Sequence, residues 1–116
     1  MPLHIAALLE AALTKAGIVL ADACILVMGY TYLENSDDTR HSPSARLAAH
    51  LREQGAEVVV HDPYVPAYQG DLITMAQGCD AVAVMVRHAV YQSLDLHALK
   101  AALRTPIIVD GRRVFD

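Results

Sequence analysis

The feature that most constrains the fold is an alternation of short apolar runs with longer segments of helical spacing. Ala23–Met28, Glu57–His61, Asp80–Met85 and Thr105–Asp110 are short and rich in Val, Ile, Leu, Ala or Met, and each reads as a strand. Gly29, Pro63 and Gly111 punctuate three of them. Before the first run, Ile5, Leu8, Leu9, Ala12, Leu13 and Ala16 form an apolar stripe. They predict a helix over residues 2–16, with Pro2 in its first turn and Gly17 as its stop. Ser42 and Pro43 open a second helix as N-cap and first position, with Ala45, Leu47, Ala48 and Leu51 as its core face and Gly55 at its end. Residues 70–78 predict a short helix with Leu72, Ile73 and Met75 as its apolar face, and Leu96–Leu103 another; His88–Tyr91 read as a loop or a turn of helix. Strands alternating with helices require crossover connections, and right-handed crossovers build a parallel sheet covered on both faces. The strands read as nearly unbroken apolar runs for the same reason: neither face of such a sheet meets water. The expectation is an α/β, three-layer domain with a mostly parallel sheet, preceded by an N-terminal helix.

The totals agree with a single domain. The chain has 116 residues, 54% hydrophobic and 19% charged, which is a globular rather than a disordered balance. Its formal net charge is −4 and no basic run stands out, so no nucleic-acid partner is expected. The longest apolar stretch, Ala16–Met28, is interrupted by Asp22 and is too short to span a bilayer. Met1-Pro2-Leu3-His4 lacks the cationic start of a secretory signal, so no membrane association is expected and the setting is read as cytoplasmic. Cys24 and Cys79 sit in apolar segments without Cys-x-x-Cys spacing; buried reduced thiols are the favoured reading over a disulfide or a catalytic thiol. The histidines at 4, 41, 50, 61, 88 and 97 are scattered, so no metal site is expected, and no Ser or Cys lies in a nucleophile elbow.

In a parallel α/β sheet, ligands bind beyond the carboxyl ends of the strands. Three polar segments fall there: Gly29–Arg40, His61–Tyr64 and Asp110–Arg113. In the first, Asp37, Asp38 and Arg40 read either as an ion-pair cluster that orients a guanidinium or as a solvated turn. In the last, Arg112 and Arg113 read either as an anion site or as surface arginines, with Gly111 allowing a tight turn. Asp62 reads either as a ribose acceptor or, preferably, as a carboxylate bonded to nearby amides in a Pro-defined turn. Only Gly29 follows the first strand and the next helix opens well downstream, so the chain does not cradle a whole dinucleotide by itself.

Gly29-Tyr-Thr-Tyr-Leu-Glu-Asn-Ser-Asp-Asp-Thr-Arg-His-Ser-Pro43 resembles the G-x-x-[FY]-K-x-x-x-D-D-x-R-x-S-P segment of the UDP-glucose/GDP-mannose dehydrogenase family. The resemblance continues through Leu51–Tyr64, Cys79–Val84, Arg87–Tyr91 and Pro106–Arg113. It implies a Rossmann-like fold and the C-terminal, UDP-sugar-binding domain of an NAD-dependent enzyme that oxidises the C6 alcohol of a nucleotide sugar to a carboxylate. Residues 1–20 would be the end of a dimerisation or linker helix region and 21–116 the binding domain. By the same resemblance, Tyr32, Leu33 and Arg112 fall at substrate-binding positions and Arg40 at the position that reaches NAD on an upstream domain. No catalytic residue is expected here, because the family's catalytic Cys lies upstream and neither Cys24 nor Cys79 matches it. NAD is thus a cofactor only of the full-length enzyme, whose partners would be a UDP-sugar, the upstream NAD-binding domain and a second copy through the N-terminal helix. Leu33 stands where the family usually has Lys, and an apolar side chain cannot pair with a phosphate. That departure keeps a non-catalytic binding or assembly module open as the alternative, and the isolated chain is expected to be inactive.

Overall fold

In the computed structural model, residues 2–30, 43–65, 68–86, 88, 91, 96–105 and 107–110 are described. Helix α1 spans Pro2–Lys15 and strand β1 spans Cys24–Met28, with a 3-10 turn at Leu20–Asp22 between them. Helix α2 (Pro43–Glu53), strand β2 (Glu57–His61), helix α3 (Leu72–Ala76), strand β3 (Ala81–Val84), helix α4 (Leu96–Ala102) and strand β4 (Ile107–Asp110) follow in turn. The four strands form one sheet in the order β2-β1-β3-β4, and every pairing is parallel. Ile25 lies opposite Val58 and Ala81, and Ala81 lies opposite Ile107, so the four C-terminal ends line up along one edge. The architecture is the Rossmann-like α/β fold expected, and among the described residues every strand pairing is parallel.

The pleat divides each strand between two cores. Ile25, Val27, Val60, Ala81 and Ala83 meet Ile5, Leu9 and Leu13 of α1 and Leu47 and Leu51 of α2 on one face. Leu26, Met28, Val82 and Val84 meet Leu72 and Ala76 of α3 and Leu99 of α4 on the other. The small side chains of Ala81 and Ala83 lie beneath α1, which packs on β3 and β4. The stripe of α1 is narrower than the sequence predicts: Ile5, Ala6, Leu9 and Leu13 are buried, whereas Leu8 is 42% exposed and Ala16 lies outside. The inner face of α1 therefore belongs to this domain's own core. Gly17 ends the helix at φ 82°, the left-handed turn that lets the Ile18 N–H donate to the Leu13 carbonyl at 2.8 Å.

The core face of α2 also differs by one position. Ser44 is buried with Leu47, Ala48 and Leu51, while Ala45 is half-buried, because the i, i+3, i+4, i+7 spacing of one helical face runs from 44. Among the described residues no helix is long and apolar enough to cross a membrane.

Candidate ligand site at the strand ends

The turn after β1 is set by a close approach. Gly29 adopts φ 94°, and a Cβ there would lie 2.6 Å from Cβ of Val86 and 2.9 Å from its backbone nitrogen. Only hydrogen fits, so the ends of β1 and β3 come together as no other residue would allow. The Gly29 N–H donates to the His61 carbonyl at 2.8 Å and the Met85 N–H to the Met28 carbonyl at 2.9 Å, which carries the sheet ladder to its rim.

Asp62, the residue after β2, ties this rim together. Its Oδ2 accepts the backbone N–H of Tyr30 at 2.7 Å and lies 2.9 Å from Nε2 of His88. Its Oδ1 accepts the backbone N–H of Tyr64 at 2.8 Å. One buried carboxylate thus joins the segments that leave β1, β2 and β3. Both oxygens are engaged within the chain, so Asp62 is the amide-bonded turn residue that the sequence favours over a ribose acceptor. The His88 ring is fully buried and packs on Tyr64 at 4.9 Å between centroids, tilted by 52°.

His61, the last residue of β2, makes a second link. Its Nε2 lies 3.1 Å from the Gly70 carbonyl and its Nδ1 2.9 Å from the Tyr91 hydroxyl. A carbonyl only accepts, so Nε2 carries the hydrogen in that bond. Burial holds the imidazole pKa below its ordinary value, against the opposing pull of the Gly70 carbonyl and the Asp62 charge. In the neutral ring Nδ1 is an acceptor, and the Tyr91 hydroxyl can donate to it or to the His61 carbonyl at 3.0 Å. Tyr91 is 1% exposed, and burial, reinforced by the Asp62 charge, pushes its phenol well above the ordinary range.

A cavity of about 520 Å³ opens beside this rim, between the end of β2 and α3, with His61, Gly70, Asp71, Leu72 and Tyr91 in its walls. Among the described residues no Lys or Arg lines it. Among the described cations, Arg104 is committed elsewhere: its Nη2 donates to Asp80 Oδ2 at 2.8 Å, where β3 begins and away from the C-terminal rim. Among the described residues no group of three or more His, Cys, Asp or Glu side chains could hold a metal ion.

Tyr32, Leu33, Arg40 and Arg112, with Asp37, Asp38 and Arg113, lie outside the described residues. The structure fixes the backbone that flanks them: Tyr30 after β1, Pro43 at the start of α2, and Asp110 at the end of β4. The run from Gly29 to Pro43 contains no second glycine, and α2 begins only at its far end. The sequence of that run has no G-x-G-x-x-G pattern, the glycine turn that receives a dinucleotide pyrophosphate at a helix N-terminus. The residues of this chain therefore do not fit a whole NAD. The sequence reading missed His88 and Tyr91 as site-building side chains. Their only signal is a pair of polar-tipped rings just past an apolar strand.

A family model described as the UDP-glucose/GDP-mannose dehydrogenase family, UDP binding domain, matches residues 26–116. The chain is 35% identical over 114 residues to a UDP-N-acetyl-D-mannosamine dehydrogenase of Pyrococcus horikoshii, covering 98% of this chain and 27% of that protein. Among solved structures, it superposes on the UDP-D-ManNAc dehydrogenase of Pyrococcus horikoshii with a TM-score of 0.94 at 34% identity, covering 100% of this chain and 28% of that one. It superposes on an NDP-N-acetyl-D-galactosaminuronic acid dehydrogenase from Methanosarcina mazei Go1 with a TM-score of 0.92 at 33% identity, covering 100% and 26%. The chain thus spans about a quarter of the length of these relatives.

Proposed function

We propose, because the chain belongs to the UDP-glucose/GDP-mannose dehydrogenase family as its UDP binding domain, that it holds the UDP of a UDP-sugar for a longer, NAD-dependent 6-dehydrogenase. The observation that carries this reading is the family match over residues 26–116, which takes in β2, β3, β4, the C-terminal part of β1 and the strand-end rim. In that longer protein the sugar C6 alcohol is oxidised to a carboxylate at a cysteine outside this chain, in a cytoplasmic setting. This domain supplies binding and orientation, which lower the barrier by presenting the reacting carbon in place.

Tyr32 and Arg112 are proposed as substrate contacts, and Arg40 as a contact to NAD held on the upstream domain. The support is positional. Asp62 fixes the Tyr30 amide two residues before Tyr32, and β4 ends at Asp110, two residues before Arg112, at the same edge of the sheet. Leu33 supplies no charge-assisted hydrogen bond, a loss of roughly 1.5–3 kcal/mol of binding. Residues 1–20 are proposed as the end of a linking region and 21–116 as the binding domain. A homodimer through α1 would have to use its outer face, near Leu8, since Ile5, Leu9 and Leu13 are spent on the domain's own core.

Calorimetric titration with UDP tests the reading. Saturable binding is expected to weaken about tenfold or more in Arg112→Ala and to strengthen in Leu33→Lys. Equal affinity in the chain and in Arg112→Ala would contradict it.

A further inference from the structure

At the opposite end of the sheet, where β1 begins, the Sγ atoms of Cys24 and Cys79 lie 3.0 Å apart. That is only about 1 Å beyond the length of a disulfide bond. Cys24 faces the same core layer as Cys79, and the two are 9% and 1% exposed. Their backbones are pinned on all sides. The Cys24 N–H donates to Asp80 Oδ2 at 2.9 Å, and the Asp80 N–H donates to the Cys24 carbonyl at 2.7 Å. The Cys79 N–H donates to the Ala76 carbonyl at 3.0 Å, and the Arg104 N–H to the Cys79 carbonyl at 2.9 Å. The sheet thus holds two thiols in register before any bond forms, so most of the ordering cost of joining them is already met by folding. The dehydrogenase reading makes no use of this pair.

We propose that Cys24 and Cys79 are a redox-modification site: a small hydroperoxide converts them to an intramolecular disulfide that clamps the start of β1 to the turn before β3. The more exposed Cys24 reacts first. Its sulfur bonds to one peroxide oxygen as the O–O bond breaks, giving a sulfenic acid and releasing the other oxygen as an alcohol, or as water from hydrogen peroxide. Cys79 sulfur then attacks Cys24 sulfur; the S–S bond forms, the S–O bond breaks, and the hydroxyl leaves with the Cys79 proton as water. Two thiols lose two hydrogens and two electrons, and one peroxide is reduced. Burial raises both thiol pKa values, so thiolate is scarce and the conversion is slow, as suits a response to sustained oxidant rather than a catalytic cycle.

The test is treatment of the folded chain with hydrogen peroxide, followed by thiol titration in denaturant and non-reducing peptide mapping. The titratable thiols are expected to fall from the two present to none. Cys24 and Cys79 should appear in one linked peptide pair, and dithiothreitol should restore both. The oxidised chain should melt several degrees higher, because the bond closes a long loop. In Cys79→Ser, which has no resolving thiol, the Cys24 sulfenic acid should be trapped by dimedone. Two persisting thiols, sulfinic or sulfonic products in place of the linked pair, or disulfides only between chains would overturn the proposal. The unmodified chain decides the question even where the variant does not fold.

Discussion

Asp62 and His88 meet at 2.9 Å with neither side chain exposed, and the same carboxylate holds the Tyr30 and Tyr64 amides. Asp62→Asn replaces an oxygen with an NH2 group among three donors, so at least one donor must face another. A loss of about 3 kcal/mol is expected in urea unfolding. His88→Phe leaves both carboxylate oxygens with an amide partner and should cost less, about 1–2 kcal/mol. Wild-type stability in Asp62→Asn would remove the carboxylate from this role.

Gly29→Ala should be more damaging than Gly17→Ala, although both positions have a positive φ. At Gly17 nothing lies within 4 Å of an added Cβ, so only backbone strain of about 1 kcal/mol applies. At Gly29 the Cβ runs into Val86 as well, which adds about 1–3 kcal/mol of overpacking. Paired thermal melts of the two variants check the ordering.

Stability should fall on acidification. His61 has a folded pKa below its unfolded value, so the unfolded chain binds the proton more readily. The contribution is fully present above the unfolded value near about 6.5 and is lost as pH drops below it. Melting temperature measured from pH 7.5 to 5 should decline, and His61→Gln should flatten that decline relative to the unaltered chain. An unchanged slope in the variant would assign the acid sensitivity to other groups.

Tyr91→Phe keeps the ring in its buried place and removes the hydroxyl between His61 Nδ1 and the His61 carbonyl. A loss of about 1–2 kcal/mol is expected, because His61 Nδ1 loses the hydroxyl it meets in a buried rim, while the His61 carbonyl keeps the Gly29 N–H. Because Tyr91 also lies beside the cavity with His61, hydrogen exchange at Gly70 and Asp71 should quicken in the same variant.

The layers were legible because burial writes itself as period. Ile25 and Val27 face one core while Leu26 and Met28 face the other, and an unbroken apolar run is what such a strand requires. The amide-bonded turn at Asp62 was legible from Pro63 beside it. Less legible was where each helical face starts: Ser44, a polar residue, takes the core position that the sequence gives to Ala45. The rim network was not legible at all, since His88 and Asp62 are 26 residues apart and Tyr91 and His61 are 30 apart. Local pattern carries no information about which polar tips meet across such distances. The proposed ligand contacts, Tyr32, Leu33, Arg40 and Arg112, rest on family resemblance; the described residues nearest them, Tyr30 and Asp110, follow or end strands at the C-terminal edge of the sheet.

UDP binding at the C-terminal edge of the sheet is open to nitrogen-15 NMR of the labelled chain during a UDP titration. Saturable shifts are expected at Gly29, Tyr30, residues 31–40 and residues 110–113, and their loss is expected in Arg112→Ala. Saturable shifts confined to the opposite edge, around Cys24, Asp80 and Arg104, or no saturable shifts anywhere, would contradict it.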